Sequence, residues 1–490
     1  MSISATCEVV PFQSNELFRL LRSVGVAGDL DSIPFDPAEA KAALAQLPQR
    51  PAVFALYGAE AHAEPYIGRT PNLRSRLERL LQPSAKHPRR LQLAGRVRRI
   101  EWRLTGSDFE SLLTQFALLE RIYGAKALER MHLRPPAFVR FLGSNRYPRI
   151  VVTHRPSQRE AEWAYGPFAS HAAAERFADE ALKLFLLRRC TDDLDPDPSH
   201  PGCVYSEMKM CLAPCYQGCT DERYGEEAAA VESFLATRGD SRLVVLRAER
   251  DEASERLEFE AAAALHAQVQ RAEAVRALAA ELVRPLSQLR AVILMPSANP
   301  SEVAVFLYEN ARLRGPAGFS TLGMRIQNEQ SGSSSLFAQP MAIEPVPEDP
   351  PGNHAVNFAD AVPESSIATQ EASPVSGHDF SRAESSHQNE RALAPEEAPS
   401  GIAPAKFPRS LLESRMEAAL GSLTSPSQLP SSTVRQGHLA LLKRWYYRPE
   451  ARREGEIFFP DAESRWPVRA LLRGVGRVVG KMLAAGTATK

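Results

Sequence analysis

Apolar positions along this chain change period several times, and the changes mark out its elements. PAVFALYG (residues 51–58) is an apolar run of strand length, and PYIGRT (65–70) is a second short strand after an AEAHAE turn. The pattern then turns helical. In TPNLRSRLERLL the spacing puts Thr70 at the cap, Pro71 at the first helical position, and Leu73, Leu77 and Leu80 on one face. Residues 164–190 carry a turn, a Ser170 cap and another apolar helical period. Two helical stretches follow, around 221–238 and 240–284. In the second, Leu257, Phe259, Ala263, Leu265, Val269 and Ala272 form an apolar set broken at LEFE, which predicts a helical hairpin rather than one rod.

Strand-like runs return in LRAVILMP and EVAVFLYENARLRG, a small antiparallel unit. Residues 326–406 have almost no apolar period and are rich in Ser, Pro, Glu, Ala and Asn, so they read as a disordered linker. Beyond it, SLLESRMEAAL, TVRQGHLALLKRWYY and WPVRALLRGVGRVVGKMLAAG predict three helices, with GEIFFPD as a short strand. Trp445, Tyr446 and Tyr447 leave two uses open: stacking on a nucleic-acid strand, or filling a core as their helix docks.

The expected fold class is α+β multidomain, since single cores stop growing near ~250–300 residues. Its segments are a leader over 1–45 with one short helix near 15–24, a small mixed α/β module over 46–153, a connecting helix over 154–189, and a cysteine cluster over 190–220. A helical region (221–285), a small β unit (286–325), the linker (326–406) and a mainly helical segment (407–490) complete it. Lys plus Arg and Asp plus Glu both total 59, so any nucleic-acid surface must be a local patch. Arg69, Arg74, Arg76 and Arg79 form such a patch, a cradle for a phosphate backbone set against the alternative of a solvated face. No run of 18 apolar residues occurs, and MSISATCEVV lacks the basic start and apolar run of a signal peptide. The expectation is a cytoplasmic protein without membrane contact, whose thiols stay reduced.

Five of the six cysteines fall between residues 190 and 219, and Cys190, Cys203, Cys211 and Cys215 are separated by 12, 7 and 3 residues. Thiolates this close in sequence, bent by Pro196, Pro198, Pro201, Gly202 and Pro214, can surround one metal centre. Zinc and an iron–sulfur cluster both suit four thiolates; a disulfide knot suits the compartment poorly. Arg188 and Arg189 beside the cluster fit either DNA contact or a solvated surface.

The run LLRRC, PGC, KMCLAPC is similar to the cysteine cluster of the UvrC subunit of the bacterial nucleotide-excision repair nuclease, and the resemblance extends from about Pro51 to about Gly315. It implies an iron–sulfur cluster on Cys190, Cys203, Cys211 and Cys215. The LEFE hairpin resembles the UVR motif, which implies docking onto a UvrB-like partner through Leu257, Phe259 and Leu265. LPQRPAVF…PYIGRTPNLRSRL resembles the GIY-YIG nuclease module, where a tyrosine acts on the attacking water, a helix arginine steadies the phosphoryl charge, and a glutamate holds the divalent metal. Tyr66, Ile67 and Gly68 match YIG; Arg69 and Arg76 match the following basic position and the helix arginine.

Three reactive positions depart from that pattern. The GIY triplet reads Ala52, Val53, Phe54; the family glutamate aligns with Gln115; and the usual asparagine falls at Phe138. Tyr57, three residues beyond Phe54, points to the opposite strand face, and Glu110 and Glu120 lie five residues from Gln115, roughly 140° around a helix. A neutral amide binds Mg²⁺ poorly, and loss of the hydroxyl removes a proton acceptor typically worth ~10²–10⁴-fold. The resemblance therefore implies a DNA-repair protein that binds DNA and a UvrB-like partner with impaired cleavage; the alternative is an endonuclease making a single incision. The ribonuclease-H-like nuclease and helix-hairpin-helix elements that follow in UvrC are not recognisable.

Overall fold

Alternation splits the first sheet between two cores. Its strands are Asp31–Pro34 (β1), Ala52–Gly58 (β2), Tyr66–Thr70 (β3) and Val97–Leu104 (β4), all antiparallel in the order β1-β4-β2-β3. Ala52, Phe54 and Leu56 of β2 turn to one face, and Val53, Ala55 and Tyr57 to the other. The computed structural model describes residues 31–60, 63–82, 93, 95–154, 164–191, 194–327, 334–336, 408–424 and 430–487. The helix expected near 15–24 and nearly all of the linker lie outside them.

The Phe54 face is covered by Ala40–Ala45 (α1) and Leu73–Leu81 (α2), with Phe35, Leu44, Leu73, Leu77 and Leu81 buried. Residues 31–45, assigned to the leader from the sequence, thus belong to the first module; DSIP is too short and polar to show an alternation. Asn72, not Thr70, caps α2, its side chain accepting the Ser75 N–H at 3.0 Å. The Thr70 hydroxyl instead accepts the Asn72 N–H. Asp108–Tyr123 (α3) covers the other face through Ala117 and Leu118. Ser107 caps it, and Glu110 reaches back to the Gly106 N–H at 2.8 Å, a reciprocal arrangement that satisfies two donors. Lys126–Arg130 (α4) follows.

Ala137–Phe141 (β5) and Ile150–Thr153 (β6), counted with the first module in the sequence, lie in a separate sheet, order β6-β5-β7-β8, with Ala164–Phe168 (β7) and Arg284–Pro285 (β8). The stretch expected as a connecting helix supplies both β7 and His171–Ala181 (α5), which Ser170 caps as its position suggested. Among its described residues the cysteine loop contains a short helix, Val204–Glu207 (α6), and a 3-10 turn at Pro214–Tyr216. Asp221–Ala236 (α7) packs Tyr224, Val231 and Phe234 into the core beneath this sheet.

Asp240–Glu255 (α8) and Phe259–Ala277 (α9) form the helical hairpin, closed by Leu243, Leu246, Val269 and Ala272. The break falls at LEFE, where Leu257 adopts φ +63° and ends α8. Ala291–Pro296 (β9), Glu302–Glu309 (β10) and Arg312–Ser320 (β11) make the expected antiparallel unit, followed by a small pair, Arg325–Gln327 (β12) and Ser334–Leu336 (β13).

The C-terminal segment completes that unit. Arg409–Leu423 (α10), Ser432–Tyr446 (α11), Glu456–Phe458 (β14) and Val468–Thr487 (α12) follow in order, and β14 pairs with β9 as the edge strand. α11 lies so close to α3 that a Cβ on Gly437 would stand 2.0 Å from Phe116 Cζ. Trp445 is 2% exposed in a core shared with Phe109, Phe306 and Leu442, and its Nε1 donates to the Glu454 carbonyl at 2.9 Å. Of the two uses left open for these aromatics, Trp445 takes the core; Tyr447 donates to the Pro167 carbonyl at 3.0 Å. Among the described residues no helix is long and apolar enough to cross a membrane.

Candidate functional site

The β2–β3 register sets Phe54 opposite Gly68 and Leu56 opposite Tyr66, so Phe54 and Tyr66 share a face. Phe54 is fully buried, its ring centroid 6.2 Å from that of Tyr66. A Cβ at Gly68 would stand 2.6 Å from Phe54 Cζ, so glycine is what admits the ring. A packed phenyl therefore occupies the place aligned with the reactive tyrosine.

Gln115 is half-buried on α3, the helix that covers the opposite face of the sheet through Ala117 and Leu118. Phe138, 2% exposed, belongs to the core that includes Leu112, Leu113 and Phe116. The five aligned positions thus separate into Phe54, Tyr66 and Arg76 on or near one face and Gln115 and Phe138 on the other. The sheet lies between them.

The arginines differ in how free they are. Arg69 pairs with Asp108, and Arg74 Nε donates to the Leu47 carbonyl at 2.7 Å. Arg76, half-buried on α2, has no polar side-chain partner among the described residues. Arg188 is buried and structural: its backbone N–H donates to the Tyr224 hydroxyl and its Nε to the Tyr147 carbonyl at 3.0 Å. Arg189 is half-buried with its guanidinium 5.9 Å from the Tyr205 ring.

Cys190, Cys203, Cys211 and Cys215 are all free thiols, Cys215 buried and the others half-buried. Burial above all pushes the Cys211 thiol up to about 11, and nearby Cys190, Cys203 and Cys215 push the same way against the Ala213 N–H, which points at its sulfur from 3.3 Å. Among the described residues no three His, Cys, Asp or Glu side chains stand in a ligand arrangement. A soft, sulfur-only donor set fits zinc or an iron–sulfur cluster, either of which deprotonates its thiols.

On the hairpin, Leu257 is 71% and Phe259 67% exposed, whereas Leu265 packs partly against the hairpin's own core. Val244 and Val245 of α8 are exposed as well.

Two charged groupings escaped the sequence reading. Arg99 lies over the Tyr57 ring at 4.3 Å and pairs with buried Glu101 at 3.1 Å. Burial, then the Glu101 charge, drives the Tyr57 hydroxyl well above its usual range, which disfavours its use as a base. Asp108 meets both Arg69 and Arg448, the latter at 2.5 Å. No periodicity links positions 340 residues apart; only the exposed-looking RWYYR run hinted at it.

A family model described as UvrC/Cho excinuclease, middle domain, matches residues 138–234. UvrABC system protein C of Alcanivorax borkumensis is 28% identical over 242 residues, 49% of this chain and 39% of that protein. Those of Pseudomonas entomophila and Ruminiclostridium cellulolyticum are each 29% identical, over 233 and 228 residues, covering 48% and 45% of this chain and 38% and 36% of theirs. The chain spans less than two-fifths of the length of these curated relatives. No solved structure matches it. Over the residues that these matches share, the chain is a UvrC-like protein.

Proposed function

We propose that this chain is a DNA-binding component of nucleotide-excision repair, acting as a scaffold on DNA and a UvrB-like protein, with the nuclease-like site of its first module unable to cut. The Phe54 ring seated on Gly68 carries this reading, because it fills the aligned tyrosine position with a group that cannot accept a proton. Gln115 supports it: a neutral amide on the far face offers a hard cation little attraction. Arg76, with Arg69 and Arg74 nearby, would contact backbone phosphates. Leu257 and Phe259 would enter a partner's helical groove as apolar anchors. Cys190, Cys203, Cys211 and Cys215 would hold an iron–sulfur cluster or zinc, which would tie down the loop between β7's sheet and α7.

The test is a nicking assay on damaged duplex with Mg²⁺ or Mn²⁺, run beside Arg76→Ala, together with salt-dependent DNA binding. Binding without incision is the expected result. Incision by the purified chain that Arg76→Ala abolishes would establish the active endonuclease instead. Metal content and the ultraviolet–visible spectrum of anaerobically purified protein distinguish iron–sulfur from zinc.

A further inference from the structure

Asp108, the first residue of α3, is where cations from two distant segments meet. One carboxylate oxygen accepts from Arg69 on β3 and the other from Arg448, just beyond α11. Arg444, exposed on the last turn of α11, adds to the positive field there. Although burial works to raise it, the hydrogen bond from Arg448 and the charges of Arg69, Arg448 and Arg444 hold this carboxyl below its ordinary range. Beside Arg444 on α11, Lys443 is half-buried, and burial first, then the Arg134 charge, lowers its ammonium from the ordinary range. Positive charge is therefore in surplus around a single carboxylate. Arg69 and Arg448 share the one negative charge of Asp108 and Arg444 stands nearby, so the ion pairs leave net positive charge unneutralised. The group is also open to solvent, the Arg69, Asp108 and Arg448 side chains being 36%, 33% and 29% exposed.

We infer that this cluster is a clamp for a nucleic-acid backbone phosphate, in which Arg444 and Arg448 of the C-terminal segment act with Arg69 of the first module, and Asp108 stands in for the anion. A phosphate offers guanidinium groups the same paired acceptors as a carboxylate, with more charge. In a chain whose formal net charge is zero, attraction to DNA has to be concentrated in a patch of this kind. The inference rests on the DNA-binding reading and adds to it a role for the C-terminal segment.

Fluorescence anisotropy of the full chain on a labelled DNA duplex, from 50 to 200 mM KCl, tests it. Arg444→Ala and Arg448→Ala should each weaken binding and flatten the slope of log affinity against log salt by about 0.9 for each phosphate no longer neutralised. Asp108→Asn should tighten binding. Lys481→Ala, exposed on α12, should leave both unchanged. Arg444 is exposed, so Arg444→Ala alone decides the matter should Arg448→Ala unfold the protein. Wild-type binding with an unaltered slope in Arg444→Ala overturns the clamp and leaves the broader reading intact, as does an equal weakening in Lys481→Ala. Absence of any salt-dependent binding by the wild type overturns both.

Discussion

Two helical regions of this molecule carry large apolar side chains in similar sequence settings and use them in opposite ways. α11 ends in Trp445, Tyr446 and Tyr447, and its Trp445 is 2% exposed. The α8–α9 hairpin carries Leu257 and Phe259 at its break, 71% and 67% exposed. α11 has a neighbour on each side, with Phe116 of α3 against Gly437 and Leu313 of β11 donating to His438 Nδ1 at 2.9 Å. The hairpin closes on Leu243, Leu246, Val269 and Ala272, with Leu184 and Leu265 partly buried against them, and leaves Leu257 and Phe259 outside that core. Leu257 and Phe259 therefore stay open to solvent, whereas Trp445 packs α11 into the core.

The sharpest way to break that contrast is Trp445→Ala, which should destabilise the protein by about 3–5 kcal/mol in denaturant unfolding through removal of a large core side chain. A change under about 1 kcal/mol would mean that α11 is not docked. Phe259→Ala should do the reverse, leaving stability within about 0.5 kcal/mol while weakening binding to a UvrB-like partner by about 2 kcal/mol, roughly thirtyfold by titration calorimetry. Gly437→Ala sharpens the docking geometry: its Cβ meets the Phe116 ring, and overpacking should cost about 1–3 kcal/mol of stability.

The smallest effect concerns pH. Burial first, then Arg312 and Arg314, hold His438 down to about 3 from its ordinary 6.5, so the folded state keeps it neutral. Above pH 6.5 it is neutral folded or unfolded and contributes no pH dependence. Between about 6.5 and 3 only the unfolded chain takes up the proton. Stability should therefore fall with pH by up to about 1.4 kcal/mol per unit, and His438→Gln should remove that part of the slope.

Elements with a strong local period were legible in the sequence. β2, α2, the hairpin break at LEFE and the β9–β11 unit lie where the apolar pattern puts them. Elements defined by distant partners were not. β1 is a four-residue edge strand, and β7 pairs on one side with β5 and on the other with β8, far along the chain, so neither sheet could be drawn from periodicity. At the nuclease-like site, the sequence identified which positions are altered and that Tyr57 faces away from Phe54. It could not foresee that Gln115 lies across the sheet from Tyr66, nor that Asp108 and Arg448 meet, because both depend on how α3 and α11 dock. Four cysteines at close spacing were visible at once, since proximity in sequence limits how far apart the loop can hold them.

Incision by the pure chain tests the central claim most directly: full-length protein, a damaged duplex, Mn²⁺, and parallel readings of bound and cut DNA. The expected result is a salt-sensitive complex from which both strands are recovered whole. Strand breaks that appear with wild type and vanish with Arg76→Ala would contradict it.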